Sequence, residues 1–152
     1  MRIESLQRCG QWGFTLTELV VVLILLSILA VVAAPMLSTS LVNEGRFYYE
    51  TQAFLRYAQK TAIAQRRNVC VAFTATSVSA TISTTFGGAC SAALTGPGGV
   101  SPYTATAQYN AGFSATPVAI TFDALGVPNN PQTLLLTGSG SIIVEAGSGY
   151  VH

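Results

Sequence analysis

Between Phe14 and Ala34 the chain runs through 21 residues of which 17 are apolar, and one ionisable residue, Glu18, interrupts the run near its start. At 1.5 Å per helical residue this stretch measures roughly 31 Å, the thickness of a bilayer's hydrocarbon core. It predicts one transmembrane helix. Before it, the short segment Met1 to Gly13 carries Arg2 and Arg8 against Glu4. A basic flank stays on the cytoplasmic side, so the residues after Pro35 are expected on the far side of the membrane. A secretory signal peptide is the alternative. Its apolar core is about 7 to 15 residues long, shorter than this one, although the small residues Val32-Ala33-Ala34 leave a cut there open.

Outside that run the chain is ordinary in apolarity and poor in charge. Of 152 residues 50% are hydrophobic and only 9% are charged, against about 25% charged in a typical soluble domain. A disordered acidic or basic tail is excluded, because too few charges and too many apolar groups are present, and a plain cytosolic domain is not expected. The formal net charge is +1, so no global field draws the chain to nucleic acid or to an anionic surface. The length suits one domain behind the apolar segment.

A carboxylate inside a membrane helix costs roughly 2.5 to 3.5 kcal/mol at the centre and by default marks a functional site. Read alone, Glu18 also fits a side chain that snorkels to the headgroups. The residues around it carry a resemblance. A basic leader ending in Gly13, followed by Phe14-Thr15-Leu16-Thr17-Glu18 and then the apolar run, resembles the type IV prepilin signal. The resemblance implies that a prepilin peptidase cuts between Gly13 and Phe14 on the cytoplasmic side and methylates the new amino-terminal Phe14. It also implies that Glu18 acts in assembly, pairing with the free amino terminus of another subunit. The physics agrees, since a buried carboxylate is tolerable beside a cation and a helix amino terminus favours negative charge. Pro35 matches the kink such stem helices often carry.

The next stretch, Met36 to about Arg67, lacks proline and reads as helix. Leu41, Tyr48, Leu55, Ala58 and Ala62 form a helical stripe, which Phe47 and Phe54 widen. The other face bears Glu44, Arg46, Glu50, Arg56, Lys60, Arg66 and Arg67, read as a solvated face, with contacts between subunits as the alternative. From Asn68 the period becomes two. Val69, Val71 and Phe73, then Val78, Ala80 and Ile82 read as a hairpin broken near Thr76-Ser77. A Gly/Pro-rich loop is expected from Gly87 to Pro102. Further strands are expected at Tyr103 to Tyr109, Val118 to Phe122, Thr133 to Thr137 and Ser141 to Ala146. The predicted fold class is α+β: a long amino-terminal helix, transmembrane then amphipathic, packed on an antiparallel β-sheet or sandwich. The expected domains are a leader at 1–13, a transmembrane and assembly helix at 14–35, and a periplasmic domain at 36–152, helical over 36–67 and β-rich over 68–152.

Three cysteines suggest a free thiol. Prepilin cleavage would leave Cys9 with the leader in the reducing cytoplasm, and Cys70 and Cys90 would then meet in an oxidising compartment. A disulfide between them closes a loop of about 20 residues, adding around 3 kcal/mol in the chain-entropy picture. Two separately buried thiols are the alternative.

A second resemblance covers most of the chain. Gly45-Arg46-Phe47-Tyr48, Leu55 to Ala62, Val69 to Phe73 and the Phe122-Asp123-Ala124-Leu125-Gly126-Val127-Pro128 turn are similar to the GspH/FimT-type minor pseudopilins and minor pilins, including MSHA-type members. This implies a structural subunit of a type IV pilus or of a type II secretion pseudopilus, assembled through its amino-terminal helix. Implied partners are the prepilin peptidase, other pilin or pseudopilin subunits, and inner-membrane lipid before assembly. The implied location is the bacterial inner membrane in a single pass, with the carboxyl-terminal domain in the periplasm, and then the fibre. The alternative is a DNA- or ligand-binding minor pilin of the kind that takes up DNA. That activity needs clustered cations, and no Lys or Arg follows Arg67 while Asp123 and Glu145 are acidic. Nucleic acid is therefore not expected as a partner.

Catalysis is not expected either. His152, the only histidine, is terminal and expected to fray. Asp123 precedes a turn and reads as its cap, and Gly96-Pro97-Gly98-Gly99 lacks the lysine and helix of a phosphate loop. No catalytic residue, metal, cofactor or small-molecule substrate is predicted.

Overall fold

The computed structural model describes residues 14–33, 39–138 and 140–152. The leader, Gly13, the kink at Pro35 and the side chain of Leu41 lie outside the described residues. The chain divides between Ser38 and Thr39 into two units. The first contributes helix α1, Leu16–Ala33. The second contains helix α2 and all the strands.

Helix α2 spans Thr39–Gln65, inside the expected 36–67. Its buried positions are Phe47, Thr51, Phe54, Leu55, Ala58, Thr61 and Ala62. They recur at intervals of three and four, which keeps them on one face. The helix closes with two bonds from the residues after it, Arg66 N–H to the Ile63 carbonyl at 3.3 Å and Arg67 N–H to the Ala62 carbonyl at 3.1 Å. Arg66 sits at φ 51°, the left-handed conformation this kind of ending requires.

Strands β1 (Val69–Phe73) and β2 (Ser77–Ser83) form the predicted hairpin, with Val71 opposite Ala80. On the far side β1 pairs with β5 (Ile120–Phe122). The outer edge of β2 takes two short strands end to end. Strand β3 (Cys90–Ala93) lies against Thr81–Ser83, and β4 (Thr104–Thr106) against Ser77–Ser79. They behave as one strand interrupted by a detour, pinned where Leu94 N–H bonds the Ala80 carbonyl and Tyr103 N–H bonds the Leu94 carbonyl, at 3.1 and 2.8 Å. A second sheet pairs β6 (Gln132–Leu136) with β7 (Gly140–Val144). All these pairings are antiparallel.

The core lies between α2 and the sheets. Phe54, Leu55, Ala58 and Ala62 meet Val69, Val71, Val78, Ile120 and Phe122, and Leu134, Leu136, Ile142, Val144 and Val151 continue the same cluster. The alternation predicted for β1 and β2 is visible, with Val69, Val71, Val78 and Ala80 buried and Ala72 and Thr81 exposed.

Four expectations need correction. The loop from Gly87 to Pro102 contains β3, which a small-residue sequence does not announce. The strand from Tyr103 to Tyr109 is only Thr104–Thr106 long, because Tyr109 turns to φ 56° and ends any extended run. The strand beginning at Val118 begins at Ile120, since Val118 bonds the side chain of Gln132 instead of a strand. His152 does not fray. It exchanges both main-chain bonds with Ile143, at 2.7 and 3.1 Å, and its ring meets Glu145 at 3.0 Å and stacks on Tyr150.

Candidate assembly site

Helix α1 begins with a cap. Thr15 Oγ1 accepts the N–H of Glu18 at 3.2 Å, and the Thr15 carbonyl accepts the N–H of Leu19 at 3.2 Å. Thr15 is therefore the N-cap and Glu18 the third helical residue, the spacing of a capping box. Thr15 escaped the sequence reading, although a Thr-x-x-Glu ahead of an apolar run was the available signal.

Glu18 stands in the first turn, where the helix dipole favours a carboxylate. Its carboxylate has no bonding partner among the described residues. Phe14, Glu18, Leu19, Val22 and Leu23 line a shallow groove whose other walls are hydrocarbon. Beyond the first turn the helix is apolar on every side. Leu19, Val21, Leu23, Ile24, Leu25, Leu26, Ile28 and Leu29 are all more than half exposed. The one hydroxyl in this stretch, Ser27, is satisfied inside the helix by the Ile24 carbonyl at 2.7 Å. A helix apolar all round needs lipid or other helices about it. Its 18 residues measure about 27 Å at the standard rise. Among the described residues no helix is long and apolar enough to cross a membrane.

The sequence-predicted site residues separate into two places. Phe14 and Glu18 share the head of α1, with Phe14 82% exposed just before the first turn. Cys70 and Cys90 are joined in a disulfide, with Cα atoms 6.1 Å apart, tying β1 to the start of β3. The Asp123 carboxylate accepts the N–H groups of Leu125 and Val127, each at 2.8 Å, and so caps its turn. The charged face of α2 is only partly a solvated face. Arg46 and Glu50 pair at 2.8 Å one turn apart, but Arg56 Nε donates to the Val151 carbonyl at 3.0 Å and holds the carboxyl-terminal segment, a correction to its expected role. Gln59 does the same for the neighbouring turn through the Ser148 carbonyl at 2.8 Å. The only pKa displaced clearly among the described residues is that of Tyr103. Burial raises it, and the neighbouring Tyr57 and Glu50 raise it further. No group of three or more metal-binding side chains is present among the described residues.

Two family matches bear on this arrangement. The prokaryotic N-terminal methylation motif matches residues 11–34, which include Gly13, Phe14 and Glu18. The family described as type II transport protein GspH matches residues 50–150. No curated protein and no solved structure matches the chain.

Proposed function

The chain belongs to the GspH family of pseudopilins and minor pilins, and from that premise we propose that it is a structural subunit of a type II secretion pseudopilus or of a type IV pilus, assembled through α1. The observation that carries this reading is the carboxylate of Glu18, without a bonding partner among the described residues, on the first turn of a helix that is apolar on all sides beyond that turn. Among lipid or packed helices a lone carboxylate is costly, and a cationic partner removes that cost. The free amino group left by cleavage before Phe14 is such a cation. In this reading Glu18 fixes helix register, while close packing along Leu19 to Ala33 holds the subunits together, since lipid tails are as apolar as the helix itself.

The prepilin peptidase would cut between Gly13 and Phe14 and methylate Phe14. The segment 14–35 would anchor the protein in the inner membrane in a single pass and later become the assembly helix, with the domain 36–152 in the periplasm. The methylation motif over residues 11–34 supports the processing, and the Cys70–Cys90 disulfide supports an oxidising compartment for the domain.

The test is incorporation into fibres. Mass spectrometry of the assembled protein is expected to show a chain beginning at methylated Phe14. Glu18→Ala is expected to lower incorporation at least tenfold, about 1.4 kcal/mol, while the protein remains in the membrane fraction. Normal incorporation of Glu18→Ala would sink the assigned role.

A further inference from the structure

We infer that the outer edge of β4 is a docking groove for an extended, uncharged main-chain segment of a neighbouring pilin-type subunit. The inference rests on the assembly reading above. It starts from how unequally the sheet edges are protected. The edge of β5 is closed at Thr121, whose N–H goes to Asn129 Oδ1 at 2.7 Å and whose carbonyl accepts the Asn129 N–H at 3.0 Å, and the segment leading into it is held by side-chain amides: Asn130 Nδ2 donates to the Ala119 carbonyl at 3.1 Å, and Gln132 bonds both the N–H and carbonyl of Val118 at 3.2 and 2.6 Å. The edge of β7 is covered along Ile143 to Glu145 by Tyr150 and His152. Such coverings prevent pairing with other chains.

The β4 edge has no such cover. Ala107 N–H bonds the Thr76 carbonyl at 2.8 Å, and Val78 opposite Ala105 lies in phase with it. In an antiparallel ladder bonded and non-bonded pairs alternate. Thr104 opposite Ser79 and Thr106 opposite Ser77 are thus the non-bonded pairs, and their N–H and carbonyl groups point outward. Neither finds another main-chain partner among the described residues. Beyond them opens a cleft of about 400 Å³, walled by Arg46, Glu50 and Ala53 of α2 on one side and by Thr104, Thr106 and Gln108 on the other.

A groove between a helix and an open strand edge, offering donors and acceptors at every second residue, is the geometry of strand addition. Its charge selects the guest. Arg46 and Glu50 already neutralise each other, so the cleft carries no net charge and matches a strand without charges. The β-rich half of this chain is itself of that kind, with Asp123 and Glu145 its only charged residues after Arg67. Two outward residues supply up to four main-chain bonds, a weak contact alone. Subunits tethered through their stem helices meet at high effective concentration, which makes a weak contact sufficient.

Amide hydrogen exchange on the full-length protein tests this, comparing detergent-solubilised chain with chain incorporated in fibres. Assembly is expected to slow the Thr104 and Thr106 amides by roughly tenfold or more, while the already capped Thr121 amide changes little. Ala53→Arg, at an exposed helical position, fills the cleft and is expected to abolish that slowing. Thr106→Pro removes one outward N–H but leaves the Val78–Ala105 pair, and is expected to abolish the slowing at Thr104, the outward amide that remains. Unchanged Thr104 and Thr106 exchange in a chain that does assemble would overturn the inference alone, as would full slowing in Ala53→Arg fibres. Failure of the unaltered chain to enter fibres would overturn it together with the assembly reading.

Discussion

Arg66 holds a conformation that its side chain disfavours. It occupies the left-handed position at the end of α2, at φ 51°, where glycine is the usual residue because it has no Cβ to clash. Both closing bonds of the motif are made, so a glycine there keeps the geometry and loses the strain. Arg66→Gly is expected to raise stability by about 1 kcal/mol, visible as a higher urea midpoint with an unchanged slope. Tyr103 gives a second single-residue effect. Its ring stacks on Phe54 with centroids 4.5 Å apart and meets Tyr57 edge-on at 5.2 Å. Burial first, then Tyr57 and Glu50, raise its pKa above the ordinary 10.0. The folded chain therefore holds the phenol's proton more tightly than the unfolded chain. The resulting stability is complete below pH 10 and is lost as pH rises through the folded value. Tyr103→Phe is expected to flatten that alkaline loss in a series of melting temperatures, and an unchanged alkaline slope would contradict the assignment.

At the scale of elements the disulfide accounts for a strand that composition does not foretell. Cys90-Ser91-Ala92-Ala93 has no β-branched or aromatic residue, and nothing in the four side chains favours a pleated surface. Its place on the sheet follows from Cys70, twenty residues away, to which Cys90 is tied. Reduction is expected to destabilise the domain by around 3 kcal/mol and to accelerate amide exchange first in β3, with β1 and β5 following only on global unfolding. Simultaneous loss of protection throughout the sheet would show that the bond does not act locally. The same contrast explains what the sequence makes readable. Helix α2 was legible because Phe47, Phe54, Leu55, Ala58 and Ala62 repeat at helical spacing, and β1 and β2 because Val69, Val71, Val78 and Ala80 alternate. Glu18 and Phe14 were legible because a charge beside an apolar run is conspicuous. The amides of Asn129, Asn130 and Gln132 were not, since they look like turn residues until their partners on β5 and on the segment just before it are known. Nor was the ordered carboxyl-terminal segment, which Arg56, almost a hundred residues earlier, holds by bonding the Val151 carbonyl.

For the whole molecule the distribution of charge decides what kind of contact a fibre can use. After Arg67 only Asp123 and Glu145 are charged, and the remaining ions of the described chain are Glu18 and those between Glu44 and Arg67. Glu145 is engaged by His152, and Arg46 by Glu50, while the Asp123 carboxylate is occupied by its own turn. Few charges therefore remain to meet a neighbour through solvent. Exposed ion pairs weaken as the screening length falls from about 10 Å at 0.1 M salt to about 3 Å at 1 M. The contacts proposed above, apolar helix packing, main-chain strand pairing and a Glu18 pair shielded by hydrocarbon, would not. The fraction of this subunit retained in isolated fibres is accordingly expected to change by less than about twofold between 0.1 and 1 M sodium chloride, measured by sedimentation and quantitative blotting. A steep loss with salt would mean that Lys60, Arg66 and Arg67 make ion pairs across subunits, which would assign the charged face of α2 to assembly. Binding through phosphate contacts would also fall steeply with salt, so duplex DNA retention in the same series separates the two causes. A salt-indifferent fibre with no retained DNA is the outcome that a neutral sheet domain carried on an apolar assembly helix requires.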